Sequence, residues 1–206
     1  MKTPQLDEKK IWQILDANKV PRDQVCILAI RGYYLDSMGV VGENDRGIYD
    51  DAMFVVWPDG IARYQANTDP NGFRKGSGTG SNKGMAMLKS GIHRFGTGKH
   101  KRTVAFRQCE PFTVTRDGNP PYDHTGWHAI DLHSGGYSSP SSLGCQTLPA
   151  QTWAEFRSQV YSLLERYKNP IRKNDRDQSV RSFDYILIDE KKVKQGDLTV
   201  SSRYLR

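Results

Sequence analysis

The hydrophobic positions of this chain cluster into short runs with two different periods. Near-continuous apolar runs at C-I-L-A-I-R (26–31) and A-M-F-V-V-W (52–57) have the length and β-branched content of buried strands. The stretch W-P-D-G-I-A-R-Y (57–64) reads as the turn and return strand of a hairpin. Further strand-like runs follow at G-I-H-R-F (91–95), R-T-V-A-F (102–106), F-T-V-T (112–115), W-H-A-I-D-L (127–132) and F-D-Y-I-L-I-D (183–189). Two segments carry the helical period instead. Near the N-terminus, Thr3 and Pro4 supply a capping hydroxyl and a first-turn proline, and Asp7 and Glu8 are acidic at the positive end of the dipole. Ile11, Trp12, Ile14 and Leu15 form the apolar stripe, and Asn18 with Pro21 ends it. After Pro149, Trp153, Phe156, Val160, Leu163, Leu164 and Tyr167 recur on one helical face.

This pattern predicts a mainly β domain with flanking helices, an α+β fold, and no internal repeat. The chain divides into an N-terminal helical extension (1–24), a main domain (25–190) and a basic tail (191–206). The stretch 70–84, P-N-G-F-R-K-G-S-G-T-G-S-N-K-G, is glycine-rich but lacks the spacing of a phosphate-binding loop, and reads as a mobile loop. The segment R-K-N-D-R-D-Q-S (172–179) reads as a charged linker before the last strand.

Composition narrows the class. With 206 residues the chain suits one domain, and four Trp, ten Tyr and seven Phe provide core material despite a hydrophobic content of only 36%. No apolar run reaches the roughly 20 residues that span a bilayer. M-K-T-P-Q-L-D-E-K-K lacks an apolar signal-peptide core, so synthesis in a reducing cytoplasm without a secretion signal is expected. Cys26, Cys109 and Cys145 are too few and too far apart for a disulfide framework or a metal knuckle, and no cofactor is expected. The net charge is +7, and between Asp69 and Glu110 lie Arg74, Lys75, Lys83, Lys89, Arg94, Lys99, Lys101, Arg102 and Arg107 without one acidic residue. Such a segment, 74–107, attracts a polyanion: nucleic acid, anionic headgroups or a carboxylate-rich wall polymer.

The candidate chemistry lies in W-H-A-I-D-L-H-S-G-G-Y-S-S-P-S-S-L-G-C-Q-T-L-P (127–149). A cysteine nucleophile needs a base and donors for the oxyanion that forms on the attacked carbonyl. His133 ends a strand, and the Ser134 carbonyl is placed to fix its tautomer. The small-residue loop 135–142 can fold Cys145 back towards it, Gly144 permits close backbone approach, and a following helix start would favour the thiolate. Cys26 and Cys109 read as packing residues. His93 and His100 read as surface groups, and His128 as a structural, hydrogen-bonded histidine. Asp131 shares the face of His133 by alternation and can support it.

The arrangement H-S-(loop)-S-x-G-C resembles the signature of L,D-transpeptidase (YkuD-type) domains, and the order strand, His, loop, Cys, helix, final strand fits as well. V-V-W-P-D-G-I-A-R-Y-Q-A-N-T-D-P (55–70) resembles that family's early hairpin. The resemblance extends over roughly 25–190 and implies an L,D-transpeptidase-like β-sandwich or barrel. By position, His133 is the base, Ser134 its orienting carbonyl, and Ser142, Gly144 and Cys145 the S, G and C of the motif. Tyr137, Ser142, Leu143 and Gln146 would line the substrate. Leu143 departs from the family's histidine at that place, and the loop is shorter. The resemblance further implies attack on peptidoglycan peptide stems through an acyl-enzyme, completed by water or an amine. A basic chain without export features fits a phage endolysin released at lysis, or an effector injected into a rival cell.

Two other readings compete. D-H-T-G-W-H-A-I-D-L (123–132) resembles part of the zinc site of carboxypeptidase lysins, with His124 and Asp131 as ligands, but no histidine follows His133 to complete that set. His124 and His128 could instead join His133 around a metal. A non-catalytic wall- or nucleic-acid-binding module would use the basic segment, although no recognisable nucleic-acid-binding motif supports specific nucleic-acid recognition.

Overall fold

The computed structural model describes residues 2–33, 38, 44–76 and 82–201. Residues 77–81 of the glycine-rich loop and 202–206 of the tail lie outside the described residues. The described chain is mainly β with three helices, as the hydrophobic pattern predicts.

The helices are α1 (Glu8–Ala17), α2 (Ala150–Arg166) and α3 (Glu190–Gln195). The main sheet contains β1 (Cys26–Arg31), β2 (Asp51–Trp57), β3 (Gly60–Ala66), β5 (Gly91–His100), β6 (Thr103–Gln108), β9 (Leu132–Ser134), β10 (Gln146–Leu148), β11 (Ile171–Lys173) and β12 (Ser179–Asp189). A small sheet holds β4 (Ala86–Leu88), β7 (Phe112–Arg116) and β8 (Tyr122–Gly126) in the order β4-β7-β8. The main path runs β10-β9-β6-β5-β12-β1-β2-β3. Its two ends meet at a bridge where Asn67 and Thr147 exchange N–H···O bonds of 2.8 Å in both directions, so the sheet is nearly closed into a barrel.

Why β1 is apolar from Cys26 to Ile30 follows from its two faces. Ile27 and Ala29 enter the interior core with Met53, Val55, Phe95, Phe106 and Tyr185, which α2 caps with Trp153, Phe156, Val160 and Leu164. Cys26, Leu28 and Ile30 point the other way, into a second core with Phe54, Ile186 and Ile188. Against that outer face pack Ile11, Ile14 and Leu15 of α1, together with Val193 and Val200. The N-terminal helix and the start of the C-terminal segment are therefore built into the fold.

Four local expectations are corrected. Helix α1 begins at Glu8, because Asp7 rather than Thr3 accepts the capping bond, from the Lys10 N–H at 3.3 Å. The run 127–132 is not a strand: Ala129 takes a positive φ of 53°, and β9 is confined to Leu132–Ser134. The linker 172–179 is partly a hairpin arm, since β11 pairs antiparallel with β12. Strand β10 separates Cys145 from α2, so the helix dipole does not act on the sulfur as expected.

Candidate active site

Strands β9 and β10 lie side by side as a parallel pair, Leu132 opposite Gln146 and Thr147 opposite His133. This short ladder brings the base and the residue before β10 to one end of the sheet. The sulfur of Cys145 and ring nitrogens of His133 and His100 all lie within 4.8 Å of one another, and all three residues are half-buried.

His133 is held as its sequence position predicts. Its Nδ1 donates to the Ser134 carbonyl at 2.7 Å, which leaves Nε2 as the unprotonated nitrogen. Burial pushes the imidazole down to about 4, against the pull of that bond, and His100 and Lys101 lower it further. The Cys145 sulfur accepts from the Asp131 N–H at 3.4 Å and donates towards the Ala129 carbonyl at 3.6 Å. Burial pushes this thiol up to about 12. The resting pair is thus a neutral thiol beside a neutral imidazole, and attack requires the S–H to turn from Ala129 to Nε2. Cys109 is likewise pushed up to about 12 and Cys26 is raised further, both by burial, so position rather than acidity sets Cys145 apart. Cys26 and Cys109 lie away from the two histidines, Cys26 in the outer core.

The loop before Cys145 is fixed by groups that the sequence assigned to substrate. Ser142 is buried; its Oγ accepts from the Gly144 N–H at 3.0 Å and donates to the Cys145 carbonyl at 2.9 Å. Gln146 is fully buried, accepting from the Tyr185 hydroxyl at 2.8 Å and donating to Thr68 and Gly144 carbonyls. Both brace the loop. Gly144 does not aim its own N–H, which Ser142 takes. Among the described residues it is the N–H of Cys145 that has no acceptor, which suits an oxyanion donor. Gly144 is required all the same: with φ at 149°, a Cβ there would meet the Ala86 carbonyl oxygen at 2.3 Å. Tyr137, Leu143 and Trp127 are exposed. Tyr49, which sequence reasoning missed, donates to the Gly136 and Ser139 carbonyls at 2.8 and 3.1 Å and braces the loop.

The larger omission was His100. Far from being a surface group, it lies against His133, and its Nδ1 bonds Asp131 Oδ2 at 2.7 Å. Asp131 therefore supports His100 and Arg107, not His133; Arg107 also pairs with Asp175. Burial raises Asp131 to about 7, with Arg107 opposing. Arg107 is thereby removed from the basic surface, where Arg74, Lys75, Lys83, Lys89, Lys99, Lys101 and Arg102 remain exposed. His93 is buried too, contacting the Lys89 carbonyl at 2.8 Å.

The zinc alternative lacks its geometry. His124 faces Arg116 and His128 on the small sheet, and His128 is bonded to Phe112 and His124 carbonyls as a structural residue. Among the described residues the only trio of metal-ligand side chains is His100, His133 and Cys145. No helix of the described residues is long and apolar enough to cross a membrane. Neither a protein-family model, nor a curated protein, nor a solved structure matches this chain.

Proposed function

We propose that this chain is a cysteine-dependent enzyme that cleaves the peptide stems of bacterial peptidoglycan through an acyl-enzyme, acting on the wall after release from the cell that makes it. The observation that carries the reading is the placement of the Cys145 sulfur within 4.8 Å of a ring nitrogen of His133, whose Nδ1 is anchored on Ser134. Nε2 of His133 takes the thiol proton as sulfur attacks the stem carbonyl, and the Cys145 N–H stabilises the oxyanion. The imidazolium returns its proton to the leaving amine, and water then releases the acyl group through the same base.

Charge supports a carboxylate-bearing substrate. The hairpin that delivers His100 carries exposed Lys99, Lys101 and Arg102 at its tip, beside the reacting pair. A basic rim of this kind concentrates the carboxylates of wall peptides near the thiol. The test is mass spectrometry of purified peptidoglycan after incubation with the wild type and with Cys145→Ala. New stem fragments from the wild type alone are expected. Equal fragments from both, or none from either, reject the reading, and cross-linked products in place of fragments would make the acceptor an amine rather than water.

A further inference from the structure

The three atoms that meet at the candidate site form a donor set that catalysis by the thiol does not require. We infer that His100, His133 and Cys145 bind a thiophilic divalent cation, Zn2+, and that its occupancy silences the nucleophile. Two imidazoles and a thiolate are the ligand types Zn2+ prefers, and three protein ligands leave a fourth position for water.

The surroundings carry the argument further than proximity. Each histidine has its Nδ1 bound to an oxygen, His133 to the Ser134 carbonyl and His100 to the Asp131 carboxylate, which leaves Nε2 of both for a metal. A carboxylate or carbonyl behind each ligating imidazole is the pattern that orients histidines at metal centres. The two rings stack with centroids 4.2 Å apart and planes inclined by 13°, so one ring must turn out of the stack for both to face one ion; Arg107, the cation whose charge the sulfur feels, is tied by Asp131 and Asp175. One nitrogen of each ring and the sulfur lie within 4.8 Å of one another. Tetrahedral coordination at ordinary zinc distances needs roughly 3.3 to 3.6 Å between them, a closure that side-chain rotation supplies. As the Zn–S bond forms, the S–H bond breaks and its proton leaves to solvent. Sulfur then gives the metal the electron pair that attack on a carbonyl would use.

The consequence for catalysis rests on the cysteine mechanism above, but binding does not, so the test reads binding. Metal-free protein is titrated with Zn2+ against a chromogenic chelator, and Cys145 alkylation by iodoacetamide is followed by peptide mass with and without the metal. One Zn2+ per chain is expected, with Cys145 shielded from alkylation. His100→Ala and Cys145→Ser should each weaken binding about 100-fold or more, and Asp131→Asn, which keeps all three ligands, about 10- to 100-fold. His100→Asn keeps a donor for Asp131 without a ring nitrogen, and guards against loss of fold in the alanine variant. Zinc that fails to bind, binds equally after Cys145→Ser, or leaves Cys145 open to alkylation overturns the inference. A protein that binds zinc in this way yet, when metal-free, leaves wall peptides whole would reject the cleavage reading and keep the metal site.

Discussion

The imidazole of His100 lies flat against that of His133, with ring centroids 4.2 Å apart and planes inclined by 13°. The inner ring thus has a wall that holds it at one angle, and the wall is itself held by Asp131 at 2.7 Å.

If His100 positions His133, the two should differ in what their loss does. His133→Ala removes the base and should lower kcat about 100- to 10,000-fold. His100→Ala should cost less, and His100→Phe should restore much of the loss by replacing the wall without the nitrogen. Steady-state kinetics on a soluble wall peptide measures all three. An inactive His100→Phe with normal His100→Asn would show that the hydrogen bond to Asp131, not the wall, matters.

The pH profile should betray a neutral resting pair. His133 holds its proton only below about 4, so the base stays available well into acid, and the acidic limb of kcat/KM should fall near 4 instead of near 6.5. The thiol, held up at about 12, should alkylate ever faster with rising pH and show no plateau around neutrality. A plateau near pH 7 would mean a preformed thiolate–imidazolium pair.

His93 should make the fold acid-sensitive. Burial lowers its folded value from 6.5 to about 4, so between those values the unfolded chain binds a proton that the native chain refuses. Stability therefore falls as pH drops from 6.5 towards 4, and this loss is complete below 4. His93→Phe keeps the ring against Phe112 and removes the titration. The stability difference between variant and wild type should shift by about 2 kcal/mol in the variant's favour from pH 7 to pH 5, measured by urea unfolding.

Gly144→Ala should damage the site from the backbone. The strained φ and the 2.3 Å approach to Ala86 force the loop to move, at about 1–3 kcal/mol. Activity should fall together with the melting temperature. A fully active, equally stable variant would show that the loop adapts freely.

The strands that sequence displayed best were those buried on both sides: C-I-L-A-I-R and the core of F-D-Y-I-L-I-D have no polar face to confuse the period. Short strands with little apolar content, β8 (Y-D-H-T-G) and β11 (I-R-K), were invisible because pairing rather than composition makes them. W-H-A-I-D-L was misread for the opposite reason: its alternation is apolar enough, but the positive φ at Ala129 interrupts it. His133, Ser134 and Cys145 were legible because motif spacing is local. His100 stands 33 positions before His133 in a basic stretch, and only the pairing of β5 with β6 and of β6 with β9 brings it across. That Ser142 and Gln146 are buried was not legible, because a polar residue beside a reactive one looks the same in sequence whether it is exposed or packed.

The bridge between Asn67 and Thr147 gives the molecule a seam, and Thr147 sits directly opposite His133 in the ladder. Sulfur and imidazole are therefore fastened to adjacent planks at the joint where the staves of the barrel meet. Breathing of that joint changes the gap across which the proton must hop. A compound wedged into it would disarm the protein while leaving the thiol and the ring chemically untouched.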